Sequence, residues 1–283
     1  MINRRDFLQL SARALATLAF GNSLSAKNTF PLGVQLYTVR EQAEKDLGAV
    51  LAHIAMIGYT EVETYWNVYT HPAKKLRGMI TENGLTVPSG HFDYDGLESK
   101  LDYAKELGVE YVICPMLPKN MWTSADGFKK AADQFNKWGE QVRNMGMQFG
   151  FHNHNYEFRK FGDTTGFDIL TTESDPKLVC LEMDCYWITQ AGQDPVAMLN
   201  KYGSRIQLLH LKDRLPGYPT SQFLGPEAEH MTEVGSGTIN WKAVITTAEK
   251  TGVKHYFVER DNGSTPAFES LRVSYENLRK IVG

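Results

Sequence analysis

The segment Phe149-Gly-Phe-His-Asn-His-Asn-Tyr-Glu-Phe158 carries two imidazoles and a carboxylate within a few residues of one another. Met147, Phe149 and Phe151 alternate with smaller or polar neighbours, so the segment opens as a strand. Residues two apart on a strand share a face, which aims His152 and His154 the same way. Imidazoles and a carboxylate at one strand end suit proton transfer or a metal ion. A lone pair of histidines is often only a hydrogen-bonded surface feature; repetition is what argues for more. Later strand-like runs end in Asp184, His210 with Lys212, and Glu259, and earlier ones in Glu63 and His91. Carboxylate and imidazole together suit Mn²⁺, Zn²⁺ or Co²⁺.

The elements that must position these residues follow a regular rhythm. Runs rich in β-formers lie at 32–39, 60–64, 85–91, 109–115, the segment that opens at 147, 177–184, 205–212 and 254–259. Helical spacing separates them, at 41–57, 72–83, 94–107, 124–145, 165–172, 195–202, 240–250 and 266–281. Gly58, Gly84, Gly108, Gly146 and Gly252 stand where helices should stop. Eight such units over about 250 residues predict one (β/α)₈ barrel, with the strand ends gathered at one mouth. A doubly wound open sheet is less suitable, since no glycine-rich phosphate fingerprint follows the first strand. The loop of roughly two dozen residues after 205–212 is longer than usual and is expected to serve function.

Composition narrows the partners. The formal net charge of −3, without any basic run, disfavours nucleic acid. Cys114, Cys180 and Cys185 lie in or beside apolar runs and read as buried thiols, not as a disulfide framework. Residues 1–27 resemble a twin-arginine export leader: Arg4-Arg5 in a polar start, an apolar stretch from Leu8 to Phe20, then Ser23-Leu-Ser-Ala26 as a cleavage site. The apolar stretch is too short to span a bilayer. The expectation is a bacterial periplasmic or exported protein whose barrel comprises 28–283, with no stable membrane insertion.

Four pieces together carry a family resemblance: His152-Asn-His-Asn-Tyr-Glu157, Leu181-Glu-Met-Asp-Cys-Tyr-Trp187, Leu209-His-Leu-Lys-Asp213 and Val258-Glu259. In that order they resemble the sugar phosphate isomerase/epimerase family, the xylose isomerase-like TIM barrels, as does Glu233-Val-Gly-Ser-Gly-Thr-Ile-Asn-Trp241. The resemblance implies one divalent metal held by Glu, Asp, His and Glu from the last four strands. Asp184, His210 and Glu259 match three of these, while the fifth strand offers His152 or Glu157, of which Glu157 restores the usual set.

It also implies a metal-dependent isomerase or epimerase that removes a proton beside a metal-bound carbonyl. A lyase or hydratase acting on 3-keto-glycosides is the alternative. Remoter alternatives are a non-catalytic sugar-binding barrel and an endonuclease IV-like nuclease, the latter lacking its additional histidines here. His154, Lys212 and His152 are the candidate acid–base residues, and Glu63, His91 and Trp187 the candidate substrate contacts. Tyr37, Tyr65, Trp66 and Trp122 are further aromatics suited to stacking on a sugar. The partner is expected to be a small sugar, with a homodimer as the possible assembly.

Overall fold

A computed structural model of the chain describes residues 30–225 and 229–282; the proposed leader at 1–27 lies outside the described residues. Eight parallel strands close into a barrel: β1 (Gly33–Gln35), β2 (Glu61–Thr64), β3 (Thr86–His91), β4 (Tyr111–Cys114), β5 (Gln148–His152), β6 (Val179–Asp184), β7 (Ile206–Leu211) and β8 (His255–Val258). Each pairs with its neighbours in chain order, and β1 closes the ring on β8. The predicted barrel is therefore the observed one.

Around it run α1 (Arg40–Ile57), α2 (Ala73–Glu82), α3 (Leu101–Leu107), α4 (Ala125–Asn144), α5 (Gly166–Glu173), α6 (Cys185–Gln190), α7 (Pro195–Tyr202), α8 (Trp241–Thr251) and α9 (Ala267–Val282). Local chemistry sets their ends. Ser124, Thr165 and Asn240 each accept a first-turn amide from α4, α5 and α8. Among the differences from the sequence reading, the run at 32–39 is a strand only over Gly33–Gln35 and continues as a 3-10 turn (Leu36–Val39). The helix expected at 94–107 is a 3-10 turn (Leu97–Lys100) running into the short α3, because Gly96 enters it at φ +83°. The six-residue α6 was not anticipated; its cap is Asp184, whose carboxylate accepts the Trp187 amide at 2.9 Å.

The alternation of strand side chains stacks the barrel interior in layers. Tyr111, Ile113, Cys180, Leu208 and Phe257 form an apolar plug. Gly150 belongs to this level, where a Cβ would meet Ile113 at 2.6 Å and Cys180 at 2.8 Å. Two residues further along each strand the interior turns polar, and register aligns the layer: Gln35 faces Glu63, Glu63 faces Ser89, His152 faces Glu182, and Asp184 faces His210. All three cysteines are buried and free, as expected. Among the described residues no helix is long and apolar enough to cross a membrane.

Candidate active site

Asp184, His210 and Glu259 converge at the C-terminal ends of β6, β7 and β8, with ligand atoms within 4.8 Å of one another. A second group of the same compactness, His91, His152, Glu182 and His210, adjoins it. His210 belongs to both and links them through opposite ring nitrogens. Its Nδ1 lies 2.8 Å from Glu259 and 4.0 Å from Asp184, while its Nε2 lies 2.6 Å from Glu63 and 3.3 Å from Glu182. Nδ1 thus faces the Asp184–Glu259 side and Nε2 the Glu63–Glu182 side; with the ring protonated both nitrogens donate, and loss of the Nδ1 proton would free that nitrogen for a cation. A carboxylate holding the far ring nitrogen fixes both tautomer and orientation of a metal-binding histidine.

Glu63 is itself held from two sides. Gln35 Nε2 donates to its Oε2 at 2.8 Å and Ser89 Oγ to its Oε1 at 2.5 Å. It is fully buried, beneath the cavity floor and not on its wall. Glu63, expected to touch sugar hydroxyls, is placed against His91 and His210 and off the cavity lining. Glu182 Oε2 meets His91 at 2.8 Å and His152 at 3.1 Å, which makes it the hub of the second group.

The electrostatics separate the four histidines. Burial alone would lower every one of them. In His91 the neighbouring Glu63 and Glu182 overcome burial and carry the pKa up to about 10; in His210, Glu182, Glu259 and Glu63 do the same. His152 stays well below the ordinary value, because burial is reinforced by the charge of His210. Burial, aided by Lys212, holds His154 down at about 3. Glu182 is held at about 2 despite its burial and the charge of Glu63, chiefly by His210 and His91.

Lys212 is buried and sits among carboxylates, 2.8 Å from Glu259, 3.0 Å from Asp261 and 3.2 Å from Asp184. Burial disfavours its charge, but these three carboxylates hold it well above the usual lysine range. It does not pair with its neighbour Asp213, which instead accepts amides from Gly235, Gly237 and Ile239 and the Trp241 indole N–H. That clamp fixes the long loop after β7. Asp261, also beside Lys212, lies beyond the end of β8, three residues after Val258, where strand alternation no longer reports its direction. Burial and the charge of Glu259 raise its pKa to about 7.

Glu157 stands outside both groups. It lies in a 3-10 turn (Tyr156–Phe158) beyond β5, and its Oε2 accepts the His154 amide at 2.9 Å. Burial, with a smaller contribution from Asp184, lifts its pKa to about 8. The structure thus brings Asp184, His210 and Glu259 together as expected and leaves Glu157 bound to its own loop. The chain after β5 curls back at Asn155, whose side chain donates to the Ser221 and Phe223 carbonyls.

A cavity of about 590 Å³ opens over this layer. His91, His152, His154, Trp187, Lys212 and Glu259 supply its inner wall. His154 and Lys212 flank Trp187, with ring centroids 5.2 Å apart for the imidazole and the ammonium 5.7 Å from the indole centroid. Tyr37 and Trp66 also line the cavity, whereas Tyr65 is buried and Trp122 packs on Tyr156.

The donor set fits a divalent cation. Two carboxylates and an imidazole nitrogen face one another in a buried space, a mixture that suits Mn²⁺, Zn²⁺ or Co²⁺. Asp184 Oδ2, Glu182 Oε1 and Glu157 Oε1 are buried without a hydrogen-bond partner, although the Lys212 ammonium lies 3.2 Å and His152 Nε2 3.7 Å from Asp184 Oδ2. Buried carboxylate oxygens left so are uncompensated until a cation or donor meets them.

With this geometry in place, comparison with known proteins agrees. The xylose isomerase-like TIM barrel family model matches residues 51–281, and the chain belongs to that family. An inosose dehydratase of Geobacillus thermodenitrificans is 23% identical, over 82% of this chain and 89% of its own length. A sugar phosphate isomerase/epimerase from Parabacteroides distasonis superposes with a TM-score of 0.75 at 25% identity, covering 92% of this chain and 97% of that one. The IolI protein, whose structure holds a zinc atom, superposes with a TM-score of 0.69 at 16% identity, covering 89% and 98%.

Proposed function

We propose that the protein is a metal-dependent lyase of carbonyl-bearing sugars or cyclitols. It removes the proton beside the carbonyl and expels an oxygen substituent one carbon further on. One observation carries this reading. A neutral imidazole with an unpartnered, buried Nδ1, that of His154, shares the cavity wall with a carboxylate-held ammonium, that of Lys212, both close to the Trp187 ring. A base and an acid whose environments push their pKa values apart are the pair such an elimination needs.

Asp184, His210 and Glu259 would hold the metal, with Glu157 or His152 as the fourth protein ligand. When bound, a divalent ion polarises a substrate carbonyl as a Lewis acid. The chain's own groups supply the rest. His154 takes the proton; negative charge developing beside it raises the proton affinity of the imidazole as the proton moves. Lys212 steadies the oxyanion or protonates the departing oxygen. His91, kept cationic on the cavity floor, offers a donor to a substrate hydroxyl. Trp187 supplies a ring face against which the sugar lies. The names of the dehydratase relatives support elimination.

Isomerisation or epimerisation is the second reading, favoured by the likeness to the Parabacteroides distasonis protein. It shares the first step and differs in where the proton returns. A 3-keto-glucoside or an inosose incubated in D₂O separates the two: elimination gives an unsaturated ketone, whereas epimerisation or isomerisation gives the epimeric or isomeric sugar deuterated at one carbon. Product formed by a hydride shift, with neither outcome, would overturn both readings. Twin-arginine export by residues 1–27 is proposed as well, and with it a non-phosphorylated substrate, since sugar phosphates are scarce outside the cytoplasm. Retention in the cytoplasm on changing Arg4 and Arg5 to Lys is the outcome expected of such a leader, and unchanged export would exclude it.

A further inference from the structure

The cavity is too large and too unevenly lined for one sugar ring. A pyranose occupies roughly 180 Å³, about six water volumes at ~30 Å³ each, whereas the cavity measures about 590 Å³. Its inner wall holds the charged and acid–base groups. Its solvent-accessible side is lined instead by Tyr37, Arg40, Trp66 and Met116, while Leu224 packs against the Trp187 cluster. Trp66 and Met116 are each 39% exposed there, a large apolar investment at a solvent-facing rim.

The aromatic part of this rim is pre-ordered. Trp66 opens the 3-10 turn that follows β2 (Trp66–Thr70), and its ring rests against Tyr37 at 5.7 Å and Tyr65 at 5.4 Å between centroids. Arg40 covers Tyr37 from another side, its guanidinium carbon 4.3 Å from the ring centroid. That guanidinium is tied down by the carbonyls of Tyr37 at 2.9 Å and Asp261 at 2.8 Å. The rim is thus built from rigid rings braced by a fixed cation, a surface that loses little freedom when a flat partner lands on it. At its margin Asp93, Glu229 and Asn262 offer polar atoms to the cavity.

We infer that the solvent-accessible side is a second-ring subsite, and that the substrate is a glycoside whose reacting keto-ring lies on the floor while its aglycone ring stacks on Tyr37 and Trp66. The chemistry is consistent in atoms and electrons. Loss of the C2 proton and cleavage of the C1–O bond form a C1=C2 double bond and turn a 3-keto-glycoside into a 1,2-unsaturated, glycal-type 3-ketone and the free aglycone alcohol, whose oxygen takes up a proton. No oxidant is needed. Which ring reacts rests on the lyase reading above; the affinity of the rim for a ring does not.

The two are therefore tested apart. Calorimetric binding of unoxidised, non-reacting glycosides to the full-length protein reads the subsite alone, with methyl β-glucoside, phenyl β-glucoside and cellobiose as probes. Either two-ring ligand should bind at least tenfold tighter than the methyl glucoside, and the aryl and sugar arms show which ring type the rim prefers. Trp66→Ala should bring that ratio within twofold, and Trp66→Phe, which keeps a ring, should restore most of it. Equal affinity for one- and two-ring ligands in the native protein, or a ratio that survives Trp66→Ala, would overturn the subsite. If the ratio holds while no 3-keto-glucoside is turned over, the lyase reading fails and the subsite stands.

Discussion

Glu63→Gln is the most revealing single change at this site. The carboxylate accepts the His210 Nε2 proton at 2.6 Å, the Gln35 amide at 2.8 Å and the Ser89 hydroxyl at 2.5 Å. Glutamine keeps the shape but offers one acceptor oxygen where Glu63 offers two, and its NH₂ must face at least one of those donors. The strongest acceptor on His210 is lost, so its Nδ1 is less basic and less firmly aimed at Asp184 and Glu259. Partners of this kind are worth about 10–100-fold in metal affinity, or about 1.4–2.7 kcal/mol. Competition against a chromophoric chelator measures the affinity directly, and the KM at saturating metal shows whether substrate contacts have changed. Weakened metal binding with an unaltered KM is the expected result. Full metal affinity with a raised KM would refute the assignment and return Glu63 to the substrate-contact role that its place at a strand end first suggested.

Other perturbations probe the same layer from different sides. Asp184→Ala and His210→Ala should each strip the metal and abolish the rise in melting temperature that metal gives the native protein, since binding only to the folded state stabilises it; unchanged metal content in both would remove these residues from the site. Glu157→Gln and His152→Gln decide the fourth ligand: the variant that loses metal marks the ligand, and loss of turnover with metal retained marks an acid–base or positioning residue. His154→Gln and Lys212→Met should each lower turnover by on the order of 10²-fold or more while metal is retained. Activity near the native level in either would refute the acid–base pair. In chelator-treated protein, His91 has a pKa raised to about 10 by carboxylates against burial. Its contribution to stability is complete below the ordinary histidine value near 6.5 and is lost as pH rises through about 10. Melting temperature should therefore fall between pH 7 and 10, and His91→Gln should flatten that fall.

Strand periodicity made the barrel legible, and with it the inward face of every strand end. Asp184, His210 and Glu259 could be read because each ends an apolar run and the barrel gathers such ends. Glu182 obeys the same alternation, two residues before Asp184, whereas Asp261 lies past the end of β8. What the sequence does not display is depth. Glu63 and His91 both end strands, yet the register buries Glu63 beneath the floor and leaves His91 on the cavity wall. Glu157 is placed differently: it follows β5 by a turn, and turn geometry, not strand alternation, aims one of its carboxylate oxygens at the His154 amide. The cap of α6 is hidden differently, because Asp184 was already accounted for as a ligand and its second oxygen was free to start a helix.

The polar layer also explains why a barrel would tolerate so much buried charge. Glu63, Glu182, Asp184, Glu259 and Asp261 crowd around Lys212 and two imidazoles, His91 and His210, that are held protonated. Five carboxylates thus face three cationic groups, and part of the imbalance appears as the raised pKa of Asp184 and Asp261. Buried carboxylates in deficit of positive charge either take up protons or attract a cation. Pairing within the layer is good enough to let the chain fold, while the oxygens of Asp184 and Glu182 that no donor meets leave it incompletely neutralised. Filling every acceptor with protein donors would make a more stable barrel, but one with no reason to bind a metal. The residual imbalance is what would draw a divalent ion to Asp184, His210 and Glu259, and the carboxylates behind them are what would keep His210 aimed at it.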